Sequence, residues 1–177
     1  MRAQLHTTLT ELAALKREYV RLVDGEDEPQ RLGQPATAEQ IALVEQALGA
    51  PLPPSFRAFL ELHNGWAGFD GEASILAAED YCDPAVRAGI SWKSSLFAEF
   101  QPTGVDPFLG GAIPVVFAPY QSNFLVLDPR TVRAGGEMDF VSYDHTEEED
   151  RFADFGAFLG HELEIWQTIV EEERAKR

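Results

Sequence analysis

The chain has 177 residues, 45% of them hydrophobic, which suits one globular domain with a substantial core. Its formal net charge of −16 and isoelectric point near 4.5 argue against nucleic-acid binding, because phosphate backbones would be repelled. No apolar run approaches the roughly 20 residues that a membrane span needs, and the first residues lack the apolar core of a secretory signal. A single cysteine, Cys82, excludes an internal disulfide. We therefore expect a cytoplasmic protein whose charge either favours a basic partner or serves solubility alone.

Residues 3–23 are predicted to form an amphipathic helix, because leucines and Tyr19 recur on one broad face. An acidic, turn-rich linker follows at residues 24–29. We divide the chain into an N-terminal helix and linker, residues 1–34, and an α+β domain, residues 35–177. The helix is expected to pack on its own domain, since its heptad-like pattern is too short to require a partner. A dimer seam is the alternative.

Two short helices joined by prolines are predicted between residues 35 and 66. Thr37 and Gln40 have the spacing of a capping box at the start of the first helix. Gly49 suits a left-handed C-terminal cap. The second helix opens at Pro53, and Trp66 after its end is the kind of large aromatic that packs back over a helix.

The segment from residue 67 to residue 110 gives weaker signals. A glycine-punctuated loop precedes a short strand at residues 74–76, and residues 79–88 are predicted as a helix. Residues 91–110 contain four aromatic residues among prolines and polar residues, and are predicted as a long connection. Such aromatics usually anchor a loop to the core, although they can also form a binding surface.

Three strands and a helix are predicted in the last third of the chain. Residues 113–117 and 124–127 read as an antiparallel hairpin, and residues 138–143 as a further strand. Thr146 is predicted to cap the last helix, because the four acids that follow it would favour the positive end of the helix dipole. An apolar stripe then continues that helix to Val170.

Three segments together resemble the SUKH superfamily, which includes Smi/Knr-like cell-wall assembly regulators and bacterial toxin-immunity proteins. The first runs from Leu52 to Leu60 (LPPSFRAFL) and is followed by Asn64-Gly65. The second is IPVVFA at residues 113–118 with NFLVLD at residues 123–128, similar to the family's central hairpin. The third is FADFGAFL at residues 152–159, similar to its closing helix. The resemblance covers roughly residues 35–160 and implies no catalytic residue.

Candidate catalytic and metal-binding groups were each weighed against a simpler explanation. His145 with Asp144 and Glu147 could hold a metal, but an acidic turn with an incidental histidine explains the same residues. Cys82 has no flanking motif of a nucleophile, and lone cysteines are usually small hydrophobes. We therefore expect no catalytic residue, no metal site and no cofactor. A pocket with a strongly perturbed histidine or carboxylate would favour an enzyme instead.

The sequence thus predicts a single α+β domain with an antiparallel or mixed sheet of about four to six strands packed against helices. The favoured function is a non-enzymatic protein-binding module, an immunity protein that neutralises a cognate toxin by stoichiometric binding; a regulatory or scaffold protein is the alternative. Both classes are implied by the resemblance. Acidic residues and exposed tryptophans are the predicted contacts to a basic toxin domain. They are Asp144, Glu147, Glu148, Glu149 and Asp150, a second acidic pair Asp70 and Glu72, and the apolar anchors Trp66 and Trp92.

Overall fold

The computed structural model describes residues 2–101 and 104–177. The five helices are α1 (Arg2–Val23), α2 (Ala38–Leu48), α3 (Pro54–Leu60), α4 (Pro84–Phe100) and α5 (Phe155–Ala175). The seven strands are β1 (Arg31–Leu32), β2 (Trp66–Asp70), β3 (Ala73–Ile75), β4 (Ile113–Phe117), β5 (Phe124–Asp128), β6 (Asp139–Asp144) and β7 (Glu147–Phe152). Short 3-10 turns at Ala78–Cys82 and Pro129–Thr131 complete the fold.

All seven strands belong to one sheet, whose spatial order follows the chain from β1 to β7, and every neighbouring pair is antiparallel. The predicted α+β class is confirmed, with slightly more strands than expected. Three strands were not among those predicted: β1, which has two residues, β2, which occupies the stretch predicted as a glycine-punctuated loop, and β7, which lies in the acidic run. As a result β7 is an edge strand, hydrogen-bonded to β6 only.

The local signals between residues 35 and 66 correspond to the observed geometry. The hydroxyl of Thr37 accepts from the Gln40 amide, and the Gln40 side chain accepts from the Thr37 amide, so the capping box is complete. Gly49 ends α2 in the left-handed region at φ 68°. The capping box and Gly49 thus fix the two ends of α2 by local chemistry alone.

An aromatic cluster joins α3 and α5 to the sheet. The ring of Phe155 lies 5.3 Å from those of Phe56 and Phe59 and 5.4 Å from that of Phe140 on β6. Phe158 adds a ring 4.6 Å from Phe140. Aromatic pairs at these separations add stabilisation beyond that from the apolar area they bury. We therefore regard this cluster as the centre of the core.

The N-terminal helix packs against α5 and α3, and Lys16 is its most deeply inserted polar residue. The Lys16 ammonium donates to the Phe69 carbonyl over 2.5 Å and lies 4.2 Å from the Phe69 ring and 4.4 Å from the Trp166 ring. Burial lowers the pKa of Lys16. Helix α1 is therefore held to its own domain by two kinds of contact. Its leucines are buried in the core, and the Lys16 ammonium lies against aromatic rings.

Helix α4 differs from the prediction, which placed a helix at residues 79–88 and a loop from residue 91. Asp83 caps the helix by accepting from the Ala85 amide, and the helix continues to Phe100. Its buried face consists of Val86, Gly89, Lys93 and Phe97. A glycine and a lysine interrupt the apolar periodicity, which explains why the sequence pattern looked like a loop. The part of that prediction that falls on residues 102–103 lies outside the described residues.

The prediction that Thr146 caps the last helix is wrong. Residues 147–152 form β7, and α5 begins only at Phe155, where the Asp154 carboxylate accepts from the Ala157 amide. Acidic residues have low intrinsic strand preference, but pairing with β6 supplies the backbone partners that local propensity does not. The acids therefore lie along a sheet edge, away from any helix dipole. Among the described helices, none combines the length and apolar character of a bilayer-crossing segment.

Candidate functional site

The five acids of the main predicted patch lie together on the β6–β7 hairpin. Asp144 ends β6, and Glu147, Glu148, Glu149 and Asp150 form the first four residues of β7. The four residues on β7 are exposed, and the Asp144 side chain is about half exposed at 48%. The structure thus places these carboxylates on one edge of the sheet.

Only some of these carboxylates have a partner within the described part of the chain. Glu148 forms a two-bond pair with the Arg151 guanidinium, with both nitrogen-to-oxygen distances at 2.8 Å. Asp144 contacts Nδ1 of His145 at 2.8 Å. Glu147, Glu149 and Asp150 make no ion pair or side-chain hydrogen bond with any residue in the described ranges 2–101 and 104–177. Three exposed carboxylates of one strand are therefore without a partner among the described residues.

Arg151 connects the acidic edge strand to buried carboxylates in the sheet. Its guanidinium contacts the Asp139 carboxylate at 3.0 Å and that of Asp128 at 3.5 Å. Arg130 pairs with Asp128 through two bonds of 2.7 and 2.8 Å, and Arg133 pairs with Asp139. Burial would raise the pKa of Asp128, but the hydrogen bonds from Arg130 and the nearby guanidinium charges outweigh it and hold that pKa below its usual value. This network of ion pairs attaches β7 to buried carboxylates of the neighbouring strands.

The turn of the hairpin consists of two residues, His145 and Thr146. His145 has φ 55°, the one non-glycine residue in the left-handed region among those described. Asp144 and Glu147 are paired directly across the turn. Residues that oppose each other in an antiparallel pair point to the same face, with Cβ atoms roughly 4.5–5.5 Å apart. Two like charges are thus set side by side.

A groove runs between this turn and the C-terminal end of α4; we call it the hairpin groove. It consists of two adjoining hollows of about 380 and 430 Å³ that share Gln101, Thr146 and Glu147. Phe100 lines the outer hollow and Val105 the inner one, and these two side chains are 63% and 66% exposed. The groove therefore combines exposed apolar side chains with unpaired carboxylates.

The second predicted acidic pair does not join this surface. Asp70 ends β2 and Glu72 lies in the turn to β3, so four strands separate β2 from β7 in the sheet order. The negative charge of Asp70 acts on Lys16, opposing the lowering of its pKa that burial causes. Asp70 and Glu72 thus form a separate exposed patch near α1.

Trp66 is not an exposed anchor, which corrects the prediction for that residue. Its side chain is fully buried, its ring lies 5.2 Å from that of Phe69, and its indole nitrogen donates to the Gln30 side chain over 3.2 Å. Trp66 is the first residue of β2, six residues after the end of α3, and on this strand its side chain belongs to the core. Trp92 on α4 remains 37% exposed.

Phe100 is one of the four aromatic residues of segment 91–110, which was expected to anchor a loop to the core, with a binding surface as the alternative. It lies three residues after Phe97, the last buried residue of α4, and continues the same apolar stripe. The helical spacing in the sequence places Phe100 on the same face of α4 as Phe97. It does not show where α4 extends past the sheet, and therefore it does not show that Phe100 is exposed.

Of the groups considered for chemistry, Cys82 lies at the end of a 3-10 turn, whereas Asp144, His145 and Glu147 lie together at the β6–β7 turn. Cys82 is exposed and unbonded, and among the described residues no three His, Cys, Asp or Glu side chains are grouped as metal ligands. His145, the histidine weighed for a metal, is tied to Asp144. Lys93 is fully buried on α4, and burial lowers its pKa to about 8. Its ammonium donates to the carbonyls of Ala118 and Gln121, which indicates a structural role in holding the β4–β5 turn.

Comparison with known proteins confirms the resemblance noted from the three sequence segments. A search of curated proteins finds no significant match. The model of the SMI1 / KNR4 family (SUKH-1) matches residues 35–161, more than two thirds of the chain. The matched range contains α2 through the first part of α5 and includes the whole hairpin groove, whereas α1 and the end of α5 lie outside it. This chain therefore belongs to the SMI1 / KNR4 family (SUKH-1).

Proposed function

We propose that this protein is a non-enzymatic binding protein of the cytoplasm, and that it neutralises a cognate toxin by stoichiometric binding. Membership of the SUKH-1 family supports a SUKH-type role. The immunity role is our inference from the surface chemistry, taken together with the immunity proteins that the superfamily includes.

The observation that carries the proposal is the hairpin groove itself. Exposed Phe100 and Val105 lie beside the free carboxylate of Glu147 on a hairpin that Arg151 ties to the sheet. Protein-binding sites typically combine an apolar anchor with a polar rim, and a rigid site loses less entropy on binding. This combination is more specific than net charge, which solubility alone could explain.

The proposed mechanism is occlusion of a basic toxin surface. The net charge of −16 would speed encounter with a cationic domain. The free acids on β7 would then set the orientation, and the apolar side chains of the groove would slow dissociation, which is where most differences in affinity between related complexes arise.

A charge-reversal experiment tests this proposal. The partner is first captured from the native host with the tagged full-length protein, and its affinity is measured at several salt concentrations. Glu147→Lys, Glu149→Lys and Asp150→Lys combined should weaken binding by at least about tenfold at low salt, and less at high salt, because opposite charges become like charges. Arg151 and its partner Glu148 are left intact.

The matched control reverses three exposed acids elsewhere. Asp24, Glu26 and Glu28 lie in the linker and carry the same total charge. Their reversal changes the net charge equally but should weaken binding much less. Equal losses in the two triple variants would mean that overall charge, and no particular surface, governs recognition.

The regulatory or scaffold role remains the second candidate, because the superfamily also includes cell-wall assembly regulators. The captured partner discriminates between the two. A toxin whose activity falls in proportion to added protein supports immunity, and a cell-wall enzyme or regulator that remains active in the complex supports the scaffold role. A toxin gene next to this one would favour immunity.

A further inference from the structure

The outer hollow of the hairpin groove has a composition that selects one kind of side chain. Phe100 lies on one side of it with its ring largely exposed, and Asp144, His145 and Glu147 lie on the other. An exposed aromatic face beside carboxylates matches a cation that can both stack and donate hydrogen bonds.

The carboxylates of Asp144 and Glu147 are arranged in a way that the fold does not require. They oppose each other across the two-residue turn, where like charges destabilise the hairpin. No lysine or arginine among the described residues forms an ion pair with either of them, and the basic group that contacts Asp144 is the His145 ring. By contrast, the neighbouring Glu148 is fully engaged by Arg151. The hollow thus retains a pair of negative charges without a fixed cation.

We propose that this hollow receives an arginine side chain of the partner, with the guanidinium stacked on Phe100 and donating to Asp144 and Glu147. The inference rests on the proposed function and names the group that its site recognises. A guanidinium is planar, weakly hydrated and presents donors in a fork that matches two acceptors, whereas a lysine ammonium is a compact and strongly hydrated charge. The geometry therefore favours arginine over lysine.

The test does not need the natural partner. The full-length protein is titrated with N-acetyl-arginine amide and, separately, with N-acetyl-lysine amide, which carries the same charge, while backbone amide signals are followed by NMR. We expect signals of Phe100 and of residues 144–147 to shift, with arginine amide binding about threefold to tenfold more tightly than lysine amide.

Variants separate stacking from charge. Phe100→Leu should abolish the preference for arginine but keep weak binding of both probes, and Glu147→Gln should weaken both. Glu149→Gln is the matched control, because it removes the same charge from the same strand outside the hollow. Equal affinity for the two probes, or equal losses in Glu147→Gln and Glu149→Gln, would overturn the proposal.

The same variants distinguish this inference from the proposed function. If the captured partner binds the Phe100→Leu protein as tightly as the native protein, the arginine site is wrong although the binding role survives. If the probes behave as expected and the captured partner is insensitive to the β7 charge reversal, the hollow binds arginine but receives none from that partner, and the proposed docking role fails with it.

Discussion

The aromatic cluster around Phe155 and the hairpin groove around Phe100 both lie where a helix meets the sheet, but they differ in their exposure to solvent. Phe155 is fully buried, with three other phenylalanine rings within 5.4 Å. Phe100 ends α4 and is 63% exposed beside carboxylates. The comparison suggests that the first region supplies stability and the second is available for recognition. Substitutions in the two regions should therefore separate these properties.

The largest effect is expected in the closed region. Phe155→Ala should lower the free energy of unfolding by about 3–5 kcal/mol, because it removes a buried ring and leaves a cavity among the neighbouring rings. Urea denaturation measures it, as a lower midpoint with an unchanged slope. Phe155→Leu is the control for volume and should cost clearly less. A loss below about 1 kcal/mol for the alanine variant would mean that this cluster is not the centre of the core.

Lys93 should make stability depend on pH in the alkaline range. Its pKa is lowered from 10.5 to about 8 in the folded protein, so between these values the unfolded chain binds more protons and stability rises with pH. The gain is at most about 3 kcal/mol, since one pKa unit corresponds to ~1.4 kcal/mol. Lys93→Met should remove it.

The measurement for Lys93 is urea unfolding at pH 7 and pH 10. Other groups also titrate in this range, so the informative quantity is the difference between native and Lys93→Met proteins. Lys176→Met is the control, because Lys176 is exposed and pairs only with Glu173 on its own helix. Identical pH dependence in the native and Lys93→Met proteins would show that this ammonium is not buried as described.

Arg151 joins the acidic edge strand to the buried carboxylates of Asp128 and Asp139. Arg151→Met should cost about 1–2 kcal/mol. Each aspartate keeps a second arginine, so the loss stays below that expected for isolating a buried charge. Thermal unfolding compared with Arg87→Met, an exposed arginine on α4, measures the effect. Equal stability of the two variants would mean that β7 is not held by this network.

The sequence predicts the closed region much better than the open one, and the reasons are physical. The capping box at Thr37, the cap at Gly49 and the apolar faces of α3 and α5 are local signals that the structure reproduces. Trp66 was expected both to pack back over a helix and to serve as an exposed anchor, and only its burial is observed, because β2, which the sequence pattern did not predict, places it in the core. The acids of β7 were assigned to a helix start because acidic residues suit that position by local preference, whereas pairing with β6 depends on residues distant in sequence. For Phe100 the expected role as a core anchor is wrong for the same reason, since its exposure depends on where α4 leaves the sheet.

The smallest expected effect on stability is also the sharpest test of the comparison. Phe100→Ala removes as large a ring as Phe155→Ala, yet it should change the free energy of unfolding by only about 0.5 kcal/mol, because the ring is already exposed to water. Chemical denaturation of both variants under identical conditions compares their free energies of unfolding. The affinity of the Phe100→Ala protein for the captured partner is measured beside it. If Phe100→Ala destabilises the protein by about 2 kcal/mol or more, the groove is part of the core and its aromatic side chain is not free to contact a partner. If stability is kept and partner binding falls at least about tenfold, the exposed ring acts in recognition, since only an interface contact explains a loss of affinity without a loss of fold.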